Sequence, residues 1–242
     1  MSAEPHAAPP LPVPAPDDTS LAPTPPDAAP ATPPAVVAQI LATEHWSLLA
    51  TRSVLWGELM NRISIHLTVS SAALVVLALV AQATGFGEGF WVMAIGLSSV
   101  LLVLGTLTLL RVSLGSEEDH NLIVGMNRLR GAYAELAPEV QGTFVTSGRD
   151  DRQGVFDTYW MGATRTVGIH AVSSTSFFLA CFNSMVAGTL AALITHAAGG
   201  GTALVAVIGA LALVAYLGAG TFITGRRMRR VGLAARYTAE RG

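Results

Sequence analysis

The sequence predicts an all-α fold: an integral membrane four-helix bundle built of two transmembrane hairpins, with cytoplasmic amphipathic helices and a disordered Pro/Ala-rich N-terminal tail. Three observations predict it. Charged residues make up 12% of the chain against 51% hydrophobic ones, where an average soluble domain carries about 25% charge. The scarcity is localised: no formal charge lies between Arg165 and Arg226, and Glu88 stands alone between Arg62 and Arg111. A hydrocarbon core about 30 Å thick needs about 20 apolar residues of helix, and each of these stretches holds enough for two passes.

Residues 1–35 contain every proline except Pro138 and almost no aliphatic bulk. Such a segment cannot bury enough surface to offset the entropy of ordering, so it reads as a disordered tail. It has neither the basic start nor the apolar run of a signal peptide.

Over residues 36–62 Leu41, Leu48 and Leu55 recur every seven residues, with Val37 and Leu59 one turn away. Glu44, Arg52 and Glu58 interleave, and Trp46 and Trp56 are placed to sit at headgroup level. This is the pattern of an amphipathic helix at or near the interface. The first hairpin, 63–111, has spans over about 64–83 and 90–110, joined by the glycines and aromatics of "TGFGEGFW".

The middle segment, 112–165, opens on Ser116-Glu117-Glu118-Asp119, a capping-box pattern with acids at the positive end of a helix dipole. Leu122, Met126, Leu129, Tyr133 and Leu136 then form a short coiled-coil seam that stops before Pro138. "TSGRDDRQG" reads as a loop, after which a helix resumes into the second hairpin, 166–225. Its spans cover about 169–195 and 202–224 around "HAAGGG". A basic tail, 226–242, closes the chain. Arginines flank one end of every span and are missing from both hairpin turns. The positive-inside rule therefore puts both termini and the middle segment in the cytoplasm, in a multi-pass protein of the plasma membrane.

A shift of 104 positions lays Trp56 on Trp160, Ile65 on Ile169, His66 on His170 and Ser70 on Ser174. A parallel duplication and a chance match of apolar sequence both account for it. Under either, His66 and His170 are expected at the cytoplasmic interface, each keeping its polar ring tip wet. In the third span Ser176, Ala180, Ser184, Gly188 and Ala192 make a small-residue row at spacing four, with Asn183 beside it. Such rows let helix backbones approach, and a mid-span amide is too polar to face lipid unpaired. These six residues are the candidates for helix packing or pore lining.

No hydrolase elbow, zincin, P-loop or dinucleotide motif is present, and no catalytic residue or cofactor is implied. Glu117 and His120 are half of a carboxylate-bridged dimetal motif whose other half is missing, so no metal site is assigned. Cys181 is the one cysteine, and no lysine occurs, which leaves neither a disulfide framework nor a broad nucleic-acid surface. With no charge inside any span, proton relays and charge-coupled transport are disfavoured. The reading that follows is a non-enzymatic scaffold or signalling adaptor embedded in the lipid bilayer. It presents residues 116–137 to a cytoplasmic protein partner, and homo-oligomer formation is compatible with it. The alternative is an oligomeric channel or passive pore lined by Ser, Thr and Asn side chains such as Ser70, Ser71, Ser98, Ser99, Thr106 and Ser173.

Overall fold

The structure, a computed structural model, describes residues 32–161, 163 and 166–228. The tail before residue 32, Arg165 and the chain after residue 228 lie outside the described residues. Helices α1 (Pro34–Thr84), α2 (Glu88–Leu136), α3 (Arg152–Trp160), α4 (Val167–Val172), α5 (Thr175–Ala197) and α6 (Thr202–Met228) account for nearly all of them, with one 3-10 turn at Pro138–Thr143. Four of the helices, α1, α2, α5 and α6, are long and apolar enough to cross a membrane. The chain is thus all-helical in its described part, with the number of apolar helices the sequence predicts.

The first departure from expectation is continuity. α1 is one helix of 51 residues and α2 one of 49, so neither breaks where the sequence turns from polar to apolar. A change of polarity leaves the i→i−4 ladder intact; only Pro, Gly or a competing cap ends it. Pro34 opens α1 at N1, where its missing N–H costs nothing, and Gly85, at φ 66°, ends it. Ser116, expected as an N-cap, lies inside α2 and donates instead to the Val112 carbonyl at 2.9 Å. Residues 36–62 are thus one helix with the apolar stretch that follows them.

The second departure is the entry to α5, expected as one helix running out of 155–164. α3 ends at Met161 in the left-handed conformation (φ 49°, ψ 45°). Two fresh starts follow. Thr166 Oγ1 accepts from the Ile169 N–H at 3.3 Å, and Ser174 Oγ accepts from the Phe177 N–H at 3.2 Å. Ser and Thr favour such caps over helix interiors, so a segment rich in them is cut into short pieces.

α1 packs along α2, α2 along α5, and α5 along α6. One core cluster joins Leu55, Leu59 and Ile63 of α1 to Leu109 and Val112 of α2 and to Leu179 and Ala180 of α5. A second joins Ile123, Val124 and Met126 of α2 to Val155 of α3, with Leu48 and Tyr159 against them. The expected seam of 122–136 is therefore spent inside the chain, with Met126 fully buried and Leu136 left at the exposed end. The physics differs along the rods. Outside the spans, burying a side chain such as Met126 removes it from water and is worth about 1.5–3 kcal/mol. Between apolar spans in lipid that gain vanishes, and close packing and polar contacts must select the partner.

Candidate functional site

Inside the bundle one polar contact joins three helices. His66 of α1 and Asn183 of α5 are both fully buried, and His66 Nε2 donates to Asn183 Oδ1 at 3.2 Å. An amide oxygen only accepts, so this contact takes a proton on Nε2. Gly105 of α2 makes room for the pair: a Cβ there would lie 2.7 Å from Asn183 Cγ and 2.9 Å from His66 Cε1. Phe182 packs edge-on against the imidazole at 5.4 Å, and Ser70 Oγ donates to the His66 carbonyl at 2.8 Å. His66 Nδ1 and Asn183 Nδ2 have no hydrogen-bond partner among the described residues. Among the described residues no acid, thiol or hydroxyl is hydrogen-bonded to the ring nitrogens of this imidazole. What the arrangement does is fix the rotation and depth of α5 against the α1–α2 pair.

His66 thus departs from the expected wet ring: three helices enclose it. His170 has a different setting. It lies half-buried in the short α4, its ring 5.3 Å from Tyr159 and 6.2 Å from Phe156. The paired tryptophans differ too. Trp56 donates from Nε1 to Asp119, while Trp160 Nε1 is buried without a hydrogen-bond partner among the described residues. Neither residue pair shares a role between the two halves.

The small-residue row turns toward α6. Ser176, Ala180, Ser184 and Gly188 are buried and Ala192 is half-buried. A Cβ on Gly188 would stand 2.9 Å from the Gly209 carbonyl oxygen and 3.0 Å from Leu213 Cβ, and one on Gly209 would meet Ala192 Cβ at 3.2 Å. Asn183 lies beside this row and turns toward α1 and α2. Of the polar residues named for a pore, Ser70, Ser99, Thr106 and Ser173 each bond back to a carbonyl of their own helix, as Ser184 does, and Thr106 also meets the Tyr216 hydroxyl of α6 at 2.8 Å.

Beyond the apolar spans, two polar nodes clamp the helices. Asp119, 1% exposed, accepts from Arg52 Nε at 2.6 Å, Trp56 Nε1 at 2.9 Å and the Tyr159 hydroxyl at 2.7 Å. Burial, with the Asp119 charge beside it, raises the Tyr159 phenol well above its usual range. Asn127 uses both ends of its amide: Nδ2 donates to the Arg149 and Gly154 carbonyls, and Oδ1 accepts from Arg130 and Thr158. Nearer the spans, hydrogen bonds from Arg111 and Arg62 hold Glu58 below the usual carboxylate range. Sequence reading missed Asp119, because it hides in an acidic run that imitates a helix cap. It missed the His66–Asn183 contact because its partners stand 117 positions apart.

Glu117 and His120 lie on α2 without converging on further ligands; Glu117 is 3.9 Å from Arg227, and burial lowers the His120 pKa. No cluster of three or more potential metal-ligating side chains occurs among the described residues. No protein family, characterised protein or solved structure matches the chain. Its function is therefore argued from its own geometry.

Proposed function

We propose that this protein is a non-enzymatic membrane scaffold or signalling adaptor, with two transmembrane hairpins, both termini in the cytoplasm of a plasma-membrane protein, and a rigid cytoplasmic platform as its partner surface. One observation carries the reading. α1 and α2 run without a break from their apolar spans into a charged region, where Asp119 and Asn127 lock α3 and the 144–151 loop onto them. A fixed shelf of this kind supports a role in holding a shape. The arginines clustered at this end support its cytoplasmic placement.

The partner surface within 116–137 is what α1 and α3 leave uncovered. A shallow groove between the rods, lined by Thr51, Leu55, Glu118, Asn121 and Leu122, offers an apolar floor with an acidic rim. A basic amphipathic helix fits that chemistry. A photo-crosslinking residue in place of Asn121 should trap a distinct protein in native membranes, while one at Val145, outside the groove, should not. Purified protein in a planar bilayer should carry no current. A steady conductance that scales with protein would replace the adaptor with the passive pore, which the back-bonded hydroxyls of the spans support less well.

A further inference from the structure

α6 runs beside α2 in the same direction and in step with it. The Thr106 and Tyr216 hydroxyls meet at 2.8 Å, those of Ser113 and Thr224 at 3.3 Å, and Glu117 lies 3.9 Å from Arg227. Ser113, Glu117 and Asn121 follow one another at spacing four, so they share a face of α2. The line that α6 follows therefore leads to Asn121, where the groove lined by Thr51, Leu55, Glu118 and Leu122 opens. α6 ends at Met228, about one turn short of it.

The sequence that follows matches the groove in chemistry. Residues 229–242 carry Arg229, Arg230, Arg236 and Arg241 against one acid, Glu240, a net charge of +3, with Val231, Leu233 and Tyr237 as apolar bulk. The groove offers Leu55 and Leu122 as an apolar floor and exposed Glu118 on its rim. At its mouth Glu117 Oε1 is buried without a hydrogen-bond partner among the described residues. An acid in that state calls for a cation or donor, and the first basic residues of the segment follow α6 at that point.

We propose that residues 229–242 lie in this groove, so that the chain carries its own competitor for its partner surface. The inference rests on the reading of the groove, given above, as a site for a basic amphipathic segment. Reach is ample: fourteen residues cover about 21 Å as a helix and about 46 Å extended, and neighbouring helices lie only about 8–10 Å apart. A tethered segment acts at an effective concentration of about millimolar. A weak contact therefore suffices to hold it, and a foreign helix must bind more tightly to displace it. The groove is a guarded site, opened by whatever draws the arginines away.

The test uses the full-length chain in native membranes. A photo-crosslinking residue in place of Thr51, on the α1 wall of the groove, should bond within the same chain to a peptide from 229–242. The same residue in place of Ala50, exposed and outside the groove, should not. Arg229→Gln, Arg230→Gln and Arg236→Gln together should abolish the intrachain bond; Arg226 and Arg227 remain to hold the orientation. The proposal is overturned if Thr51 yields no intrachain bond, if Ala50 yields as much, or if the triple variant leaves the bond unchanged. A bond between two copies overturns it, and so does one seen in detergent but lost in membranes, which would put the segment on lipid headgroups. The triple variant should also raise capture of a foreign protein at Asn121 severalfold. An intrachain bond with no foreign capture by either form upholds the docked segment and sinks only the adaptor reading.

Discussion

Adding one methyl group at Gly105 should loosen the bundle, and the same methyl one helix face away should not. At Gly105 the new Cβ would collide with the Asn183 amide and press on His66 Cε1 at 2.9 Å, while at Gly96, on the same helix, nothing lies within 4 Å. Ala is favoured over Gly in a helix by about 1 kcal/mol, so Gly96→Ala should be neutral or stabilising. At Gly105 that gain is opposed by overpacking, typically about 1–3 kcal/mol, and by loss of the His66–Asn183 hydrogen bond, about 1 kcal/mol. The net expectation for Gly105→Ala is a loss of about 1–3 kcal/mol relative to the wild type, and about 2–4 kcal/mol relative to Gly96→Ala. Equilibrium unfolding of the reconstituted protein by a denaturing detergent measures it. Removing the obstructing amide should recover part of the loss, so Gly105→Ala with Asn183→Ala should be less damaging than the sum of the two. If Gly105→Ala is as stable as Gly96→Ala, or if the pair adds without coupling, α2 and α5 do not meet through Asn183 and the site described above is wrong.

Asp119→Ala should cost about 3 kcal/mol, since it strands Arg52, Trp56 and Tyr159 around a site built for a carboxylate; thermal unfolding in detergent reads this. Tyr159→Phe removes one of those bonds and should cost about 1.5 kcal/mol. The Tyr159 phenol is raised in the folded state, so the folded protein holds a proton that the unfolded chain releases near pH 10. Stability should fall as pH climbs past about 10, less steeply in Tyr159→Phe, and tyrosinate absorbance during unfolding would show it. Gly188→Leu should destabilise by about 1–3 kcal/mol through its collision with Gly209 and Leu213, whereas Met185→Ala on the exposed side of α5 should do little in the same assay. Cysteine at Glu88 should react with an impermeant thiol reagent on intact cells while cysteine at Ser147 stays protected; labelling at Ser147 would reverse the orientation.

Composition made the four apolar helices legible, because spanning a bilayer demands a length and a lack of charge that few other roles demand. Gly188 was legible for a similar reason, since small residues at spacing four leave a visible row. The rods were misread at their joints. Ser116 with three acids looks like a helix start, and the switch from polar to apolar near Arg62 looks like a border. The phase of the buried side tells otherwise. Leu48, Arg52, Leu55, Leu59, Ile63, His66, Ser70 and Ala73 line the inner face of α1 in steps of three and four, with no slip at the border. Tracking that phase rather than polarity would have fused the segments and turned His66 inward. Which residue it would meet there was beyond reach, because nothing local near His66 refers to Asn183.

The two pairs of apolar helices join their polar ends in different ways. α5 and α6 follow a chain already cut at Met161, Ser173 and Ser174, and the His66–Asn183 contact ties the depth of α5 to that of α1 and α2. α1 and α2 have no such joint. The polar part of α1, some thirty residues from Pro34 to Ile63, extends about 45 Å. A tilt of about 10° in the apolar part would sweep its far end through roughly 8 Å. An uninterrupted helix thus carries a small change of angle at its apolar end out to its polar end as a much larger displacement.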